Sequence, residues 1–413
     1  MQANDSRVFV LYVPGLDLRR VTREATPVIH GLVRDRPAVD LRTLPSTELV
    51  PSLITGVWPH EHGVWQVSLK RDVKEDALTR LLSAVPDVVT TTLQCVRHLF
   101  DASYDLAAIP WRRRRHFNQH RFKYTRRQDG DLGGPESGTM FDWVGDRARY
   151  RFTRRWTDIP SLLESLPDDG LELDFLEFYA LDLLSHWHLD RPEVMEEHVR
   201  LLDDFVAALR TRCSAENVTM VLLVDHGQEP IRRTIDLLTA LRSSGVRGRD
   251  YHYFIEIGQA RFWFETDEAR AAITAALRQV PDLHLFTWEE MARFDVAFPD
   301  SSWGELYAIA DNGVAFFPHD FYQPLANLYL GLTSAEQRPR RRDPRHRANH
   351  GQLPDHPSER GIVIVASGDW SPRRESARLI DFAPTILRML GREPPAHLRG
   401  EPMFDPAVAA VGG

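Results

Sequence analysis

The sequence predicts an α/β fold, with a mainly parallel central sheet, helices on both faces, and an inserted α+β cap subdomain. Three observations predict it. Short apolar runs stand between helix-like segments. Each run lies against Gly, Asp or His. One long stretch in the second half changes character and alternates strand patterns around a single helix. Continuous apolar runs flanked by helices mark strands buried on both faces, which is the habit of parallel sheets.

The elements follow in order. Val8 to Val13 (VFVLYV) is a buried-strand pattern running into Pro14-Gly15. Asp174 to Tyr179 (DFLEFY) is a second, and Val218 to Val224 (VTMVLLV) is the clearest, ending at Asp225-His226-Gly227. Ile362 to Ala366 (IVIVA) closes in Ser367-Gly368. Pro192 to Thr211 reads as an amphipathic helix, with acidic residues early and arginines late as the helix dipole favours. Ala377 to Leu390 reads as another. From about Gln228 to Arg345 the pattern shifts to strands at Tyr251 to Phe254, Arg261 to Phe264 and Leu306 to Ala310, with a helix over Asp267 to Arg278. These readings place a core over residues 1–227 and 346–413 and an inserted subdomain over 228–345. The basic zone 104–127 reads as a solvated loop or dimer surface, with phosphate contact as its alternative, and the run RPRRRDPRHR at 338–347 reads as a strongly basic loop.

Composition narrows the function. The chain has 413 residues, 43% hydrophobic and 27% charged, which fits a globular protein with a large core and excludes disordered, collagen-like and coiled-coil classes. Its 51 basic against 59 acidic residues give a net charge of −8, so nucleic acid is not an expected partner. Two cysteines, Cys95 and Cys213, cannot staple a chain of this size, and a reducing compartment is the default. The start MQANDSRVFVLYVPG lacks the pattern of a signal peptide, and no apolar run approaches a membrane span. A cytoplasmic protein without membrane association is therefore expected. Its oligomeric state is not readable from the sequence.

In open parallel sheets, ligands collect at the carboxyl ends of the strands. After DFLEFY come Asp182 and His186, spaced D-x-x-x-H, which on a helix share one face. After VTMVLLV come Asp225 and His226, and His350-Gly351 precedes IVIVA. Asp and His gathered at three sheet ends form a dinuclear-metal pattern suited to zinc, manganese or iron. The segment PSTELVPSLITG, Pro45 to Gly56, adds hydroxyls where a helix should begin. Such a hydroxyl is commonly only a helix cap, but beside a helix N-terminus and a cation it can serve as a nucleophile. His62, in PHEHG, reads as a structural histidine beside a turn.

With these residues in place, the chain resembles the alkaline phosphatase superfamily, in its type I phosphodiesterase/nucleotide pyrophosphatase branch. PSTELVPSLITGVWPHEHGVW resembles that branch's nucleophile helix. YALDLLSH and LVDHGQ resemble its ligand pairs, and NHGQLPDHPSERGIVIVASG the segment of its last histidine ligand. LIDFAPTILRMLGREPPAHLRGEPMF is similar to its C-terminal helix and hairpin. The resemblance implies one or two divalent ions, zinc or manganese. Asp182, His186 and His350 would hold the first, and Asp225, His226 and the nucleophile the second. Counting back ten from Gly56 gives Ser46 as the favoured nucleophile, with the adjacent hydroxyl of Thr47 as the alternative. The implied activity is hydrolysis of small phosphodiester or nucleotide-type phosphates through a covalent phospho-Ser/Thr enzyme. Two alternatives stand beside it: a non-catalytic member retaining one metal site for binding or scaffolding, and a phospho- or sulfo-transfer enzyme of the same fold. Two departures bear on the choice. Pro14 stands where the family has a metal-binding Asp, with Asp17 three residues on. Leu49 stands where the family has an Asn that helps hold the phosphoryl oxygen, a role that would pass to an arginine such as Arg19 or one of the 338–347 run. Trp303 is the candidate for contacting the apolar part of a substrate.

Overall fold

Seven strands form one sheet in the computed structural model: β1 (Val8–Tyr12), β2 (Ala38–Arg42), β3 (Ala148–Thr153), β4 (Leu173–Phe178), β5 (Thr219–Val224), β6 (Gly361–Val365) and β7 (Ser376–Arg378). Their order is β7-β2-β6-β5-β1-β4-β3. The structure describes residues 6–66, 68–70, 77–100, 109–119, 138–322 and 338–407. Of the zone 104–127, only 109–119 falls among them.

Burial explains why some strands were plain in the sequence. β1, β4 and β6 are buried at every residue, whereas β2 alternates and β3, at the sheet margin, is mostly part-exposed. Pairings β1–β5, β1–β4, β4–β3 and β2–β7 are parallel, while β6 is antiparallel to both β5 and β2. Two reversals cancel, so β2 runs with the rest and β6 alone runs against them. The residues leading into β6 therefore sit at the edge where the other strands end.

Helix α1 (Pro27–Asp35), α2 (Val50–Thr55), α3 (Ala180–His188), α4 (Pro192–Ala215) and α5 (Phe382–Met389) accompany the sheet. α4 buries Val194, Leu202, Phe205, Val206 and Leu209 along one face. It also caps α1. The Thr26 side chain makes no cap bond, and the buried Asp203 carboxylate instead accepts from the Val28 and Ile29 amides at 3.0 and 2.8 Å. The expected helix over Ala377 to Leu390 is corrected at its start. Ser376–Arg378 pairs in parallel with β2, and the α-helix begins only at Phe382. Pairing on the open side of β2 satisfies backbone groups there that a helix would leave unused.

The chain divides into two compact units, Met1–Gly63 with Phe122–Glu229 and Pro354–Gly413, and Val64–Arg121 with Pro230–Leu353. The second is α+β. A four-stranded antiparallel sheet orders Tyr251–Ile255, Gln259–Phe264, Leu306–Ala310 and Leu283–Thr287, with the helix Asp267–Leu277 in the same apolar core. This unit is wider than the stretch 228–345, and Arg261 shows why. Its side chain, only 1% exposed, donates to the Ser68 carbonyl at 2.9 Å, to Ser68 Oγ at 2.6 Å and to Glu256 at 3.1 Å. Ser68–Lys70 pairs with Phe117–Gln119, and Phe117 packs on Phe254 and Trp263. At the other end, Gln352 Nε2 donates to the carbonyls of Ala310 and Val314. Residues 346–353, His350 included, thus belong to the second unit.

Removing one member of a buried ion pair strands the other. Arg261→Met should lower unfolding free energy by about 3–5 kcal/mol, and the double change Arg261→Met/Glu256→Met should recover much of it. Denaturant unfolding of the two variants measures both.

Candidate metal centre and nucleophile segment

Four parallel strands, β1, β2, β4 and β5, deliver their last residues to one edge of the first unit. β5 ends at Asp225-His226. β4 leads through Tyr179 into α3, where Asp182 and His186 lie one turn apart with His186 Nε2 3.4 Å from Asp182 Oδ2. β1 ends in Pro14-Gly15, and β2 leads to Ser46. Leading into β6, the Ser358 carbonyl accepts from the Gly227 amide at 2.7 Å, and the Glu359 carbonyl accepts from Thr43 Oγ1 at 2.9 Å. The antiparallel strand thereby ties the β5 and β2 ends together.

Asp182, Asp225 and His226 are almost wholly enclosed. Asp182 and His226 each offer a ligand atom, with the two within 4.8 Å. They were expected on separate ions, and the fold brings them close together. His226 Nδ1 lies 2.8 Å from the Gly227 carbonyl, which can only accept, so that nitrogen carries its proton and Nε2 is left as the electron-pair donor. Gln228 Nε2 donates to Asp182 Oδ1. Gly15 (φ +75°) packs so closely that a Cβ there would stand 2.8 Å from Asp182 Oδ1.

The electrostatics are those of a site that wants a cation. Burial pushes the Asp225 carboxyl up, and the like charge of Asp182 adds to the rise, against the pull of His226 and Tyr12. For His226, burial disfavours the imidazolium, but the carboxylates of Asp225, Asp182 and Glu359 outweigh it and hold the ring above its ordinary value. Asp182 pushes the Tyr179 hydroxyl well up, helped by burial. Oxygen and imidazole donors facing one another under mutual carboxylate repulsion fit a divalent ion.

The nucleophile segment lies alongside. Glu48 is near enough to contribute to the raised values of both Glu177 and Tyr179. Ser46 is fully enclosed, and its Oγ accepts from the Glu48 amide at 3.0 Å. Thr47 is exposed. The sequence placed this hydroxyl at a helix start, but α2 begins only at Val50, its N-cap is Leu49, and it is six residues long. Ser46 is thus neither that helix's cap nor a beneficiary of a long dipole. His62 is accounted for structurally: its Nε2 meets Ser52 Oγ at 2.9 Å, inside the protein.

Two further candidates, Arg19 and Trp303, sit otherwise than the sequence suggests. Arg19 is held in a carboxylate clamp, donating to Asp17 at 2.7 and 2.9 Å and to Glu229 at 2.8 Å. Those carboxylates raise its guanidinium above an already high value. Trp303 is 5% exposed, stacks on Phe298 and gives its carbonyl to Arg261, all within the second unit. His350 is buried in that same unit, just after Ala348–Asn349. The 338–347 arginines include Arg345 and Arg347, both paired with Asp343, whose carboxyl they hold far below its usual range.

Sequence reasoning passed over two residues. Glu177 sits inside the apolar run DFLEFY, 4% exposed, accepting from Tyr150 Oη at 2.6 Å. Burial raises its carboxyl to about 8, with Asp225, Glu48 and Asp182 adding to the rise. A carboxylate in mid-strand was the available signal. Tyr12 donates its hydroxyl to Asp225 Oδ2 at 2.5 Å.

The sheet order, its single reversed strand and an Asp/His cluster at the strand ends define an alkaline-phosphatase-like α/β protein. Its sequence matches the type I phosphodiesterase/nucleotide pyrophosphatase family over residues 8–320, and the chain belongs to that family. The fold is shared with solved structures. Murine ectonucleotide pyrophosphatase/phosphodiesterase 5 superposes with TM-score 0.62 at 14% identity, covering 95% of this chain and 97% of that one. An inactive variant of the murine protein in complex with AMP gives 0.61 at 14% identity, covering 95% and 96%. The human counterpart gives 0.62 at 14% identity, covering 96% and 97%. No curated protein matches the chain in sequence. Among the described residues, no helix is long and apolar enough to cross a membrane.

Two outcomes follow from these contacts. Glu177 keeps its proton in the fold up to about pH 8 but loses it near 4.5 when unfolded, so folded protein binds more protons in between. Chelator-treated protein should therefore lose stability as pH rises from 4.5 to 8, by up to about 1.4 kcal/mol per pH unit from this group. Glu177→Gln should flatten that slope in unfolding titrations at several pH values. Gly15→Ala should cost about 1–3 kcal/mol, since it combines a left-handed backbone with a side chain driven against Asp182. Thermal unfolding of this variant reads the loss.

Proposed function

We propose that the protein is a divalent-metal-dependent hydrolase of small phosphodiester or nucleotide-type phosphates, acting through a covalent phospho-Ser46 enzyme. The observation that carries the reading is the buried Asp182–His226 pair, its donor atoms within 4.8 Å of one another and the negative charge of Asp225 beside it. Asp182 and His226, with His186 beside them, would hold the ion. The family resemblance assigns His350 to it as well. When bound, the ion supplies Lewis-acid charge to the phosphoryl oxygens.

The chain's own residues account for the rest. Ser46 Oγ attacks phosphorus while the bond from phosphorus to the leaving oxygen breaks. The leaving oxygen departs with the bonding pair, and the proton of Ser46 passes to solvent water. The Glu48 amide already donates to Ser46 Oγ, and that bond strengthens as the oxygen gains negative charge. Water then cleaves the Oγ–phosphorus bond and restores the serine. The AMP complex of the murine relative supports a nucleotide-type substrate. Pro14, standing in place of a ligand carboxylate, favours a second reading, a family member that binds phosphate esters without hydrolysing them.

With manganese or zinc, purified protein should release p-nitrophenol from bis-p-nitrophenyl phosphate. Ser46→Ala should lower kcat by about 10³-fold or more. Thr47→Ala should leave it within about threefold, an ordinary effect for a change off the reacting atoms. Activity untouched by Ser46→Ala would remove serine as the nucleophile. No release by the parent protein with either metal would leave the binding reading standing.

A further inference from the structure

We infer that this chain holds one divalent ion, at Asp182 and His226, and that the hydroxyl of Tyr12 takes the place of a second ion at Asp225. The inference rests on the metal-dependent reading above and specifies its stoichiometry.

The second position was expected to use Asp225, His226, a hydroxyl and the carboxylate that Pro14 replaces. Each of these is lost or committed. Proline brings no side-chain donor. The neighbouring Gly15 is pressed against Asp182, so the loop has no slack to bring another side chain in. Asp17 lies three residues beyond Pro14, but its carboxylate is 4% exposed and takes the Arg19 amide, Nε and Nη2 at 3.0, 2.9 and 2.7 Å. Its backbone also abuts Gly227, where a Cβ would come within 2.8 Å of Asp17 Cα. It cannot turn toward Asp225 without breaking that packing. His226 offers a single electron-pair nitrogen, and an ion held together with Asp182 would use it.

Asp225 itself is already engaged on both oxygens. Oδ1 accepts the His226 amide at 2.9 Å and Oδ2 accepts Tyr12 Oη at 2.5 Å. The second bond is built into the sheet. Tyr12 lies opposite Leu223 in the parallel β1–β5 pairing, and Asp225 is two residues further on, so both side chains leave on the same side. A phenolic proton on a carboxylate lone pair competes with a cation for that position. The remaining site would offer one carboxylate charge to a dication. Tyr12 is thus a positioning residue: it fixes Asp225 against His226, whose Nε2 is 3.3 Å from Asp225 Oδ2.

The test is manganese stoichiometry of the full chain, by native mass spectrometry and by electron paramagnetic resonance. The parent protein should saturate at one ion with an isolated-ion spectrum. Asp182→Asn should lose the ion and Asp225→Asn should retain it. Pro14→Asp/Tyr12→Phe should take up a second ion and show exchange coupling between the two. Two ions in the parent protein would overturn the inference while leaving the hydrolase reading intact. A single ion lost with Asp225→Asn but kept in Asp182→Asn would also overturn it. No bound ion in the parent protein would overturn the hydrolase reading and the inference together. The parent measurement and the two Asn variants decide the matter even if the double variant does not fold.

Discussion

A carboxylate can be buried only if a proton, a donor or a cation answers its charge. The edge of the large sheet carries many buried carboxylates, and the structure answers them one by one. Asp203 meets the amides at the start of α1, and Asp17 and Glu229 share the Arg19 guanidinium. Glu177 keeps its own proton and accepts a tyrosine hydroxyl. Asp225 takes a tyrosine hydroxyl and a backbone amide. Asp182 is met by the amide of Gln228 and lies beside imidazoles that can share a metal. The neutral and charged answers together decide where a cation is needed.

The sheet makes this possible through its one reversed strand. Had β6 run with its neighbours, the residues leading into it would emerge at the far edge. Reversed, it lets Ser358 and Glu359 lash the ends of β5 and β2 together. The ligand-bearing strand and the serine-bearing strand are not adjacent in the sheet, and β6 is what joins them.

Much of this could be read from residue order. The central strands were visible because burial on both faces demands unbroken apolar runs, and the four-residue spacing of Asp182 and His186 put both on one face once that segment proved to be a helix. Strand direction was not visible, since an apolar run reads the same in either sense; hence β6's reversal came only from pairing. Ser376–Arg378 looked helical because three residues cannot show a period. Arg19 and Trp303 looked available because their type suits a ligand, but availability depends on partners far off in sequence: Glu229 for the one, Arg261 for the other. Tyr12 escaped notice because its hydroxyl acts across 213 residues of chain. Residues 64–121 joined the second unit through Arg261, a buried contact that no local pattern announces.

The strand order also bears on biosynthesis. Among the described residues, β2 joins this sheet by way of β6 and β7, the last of its seven strands in chain order. A nascent chain can assemble β1, β3, β4 and β5 while the serine-bearing strand still waits for its neighbour. The Ser46 segment therefore settles only after residues 361–378 have been made, later in synthesis than the strands that carry Asp182, Asp225 and His226.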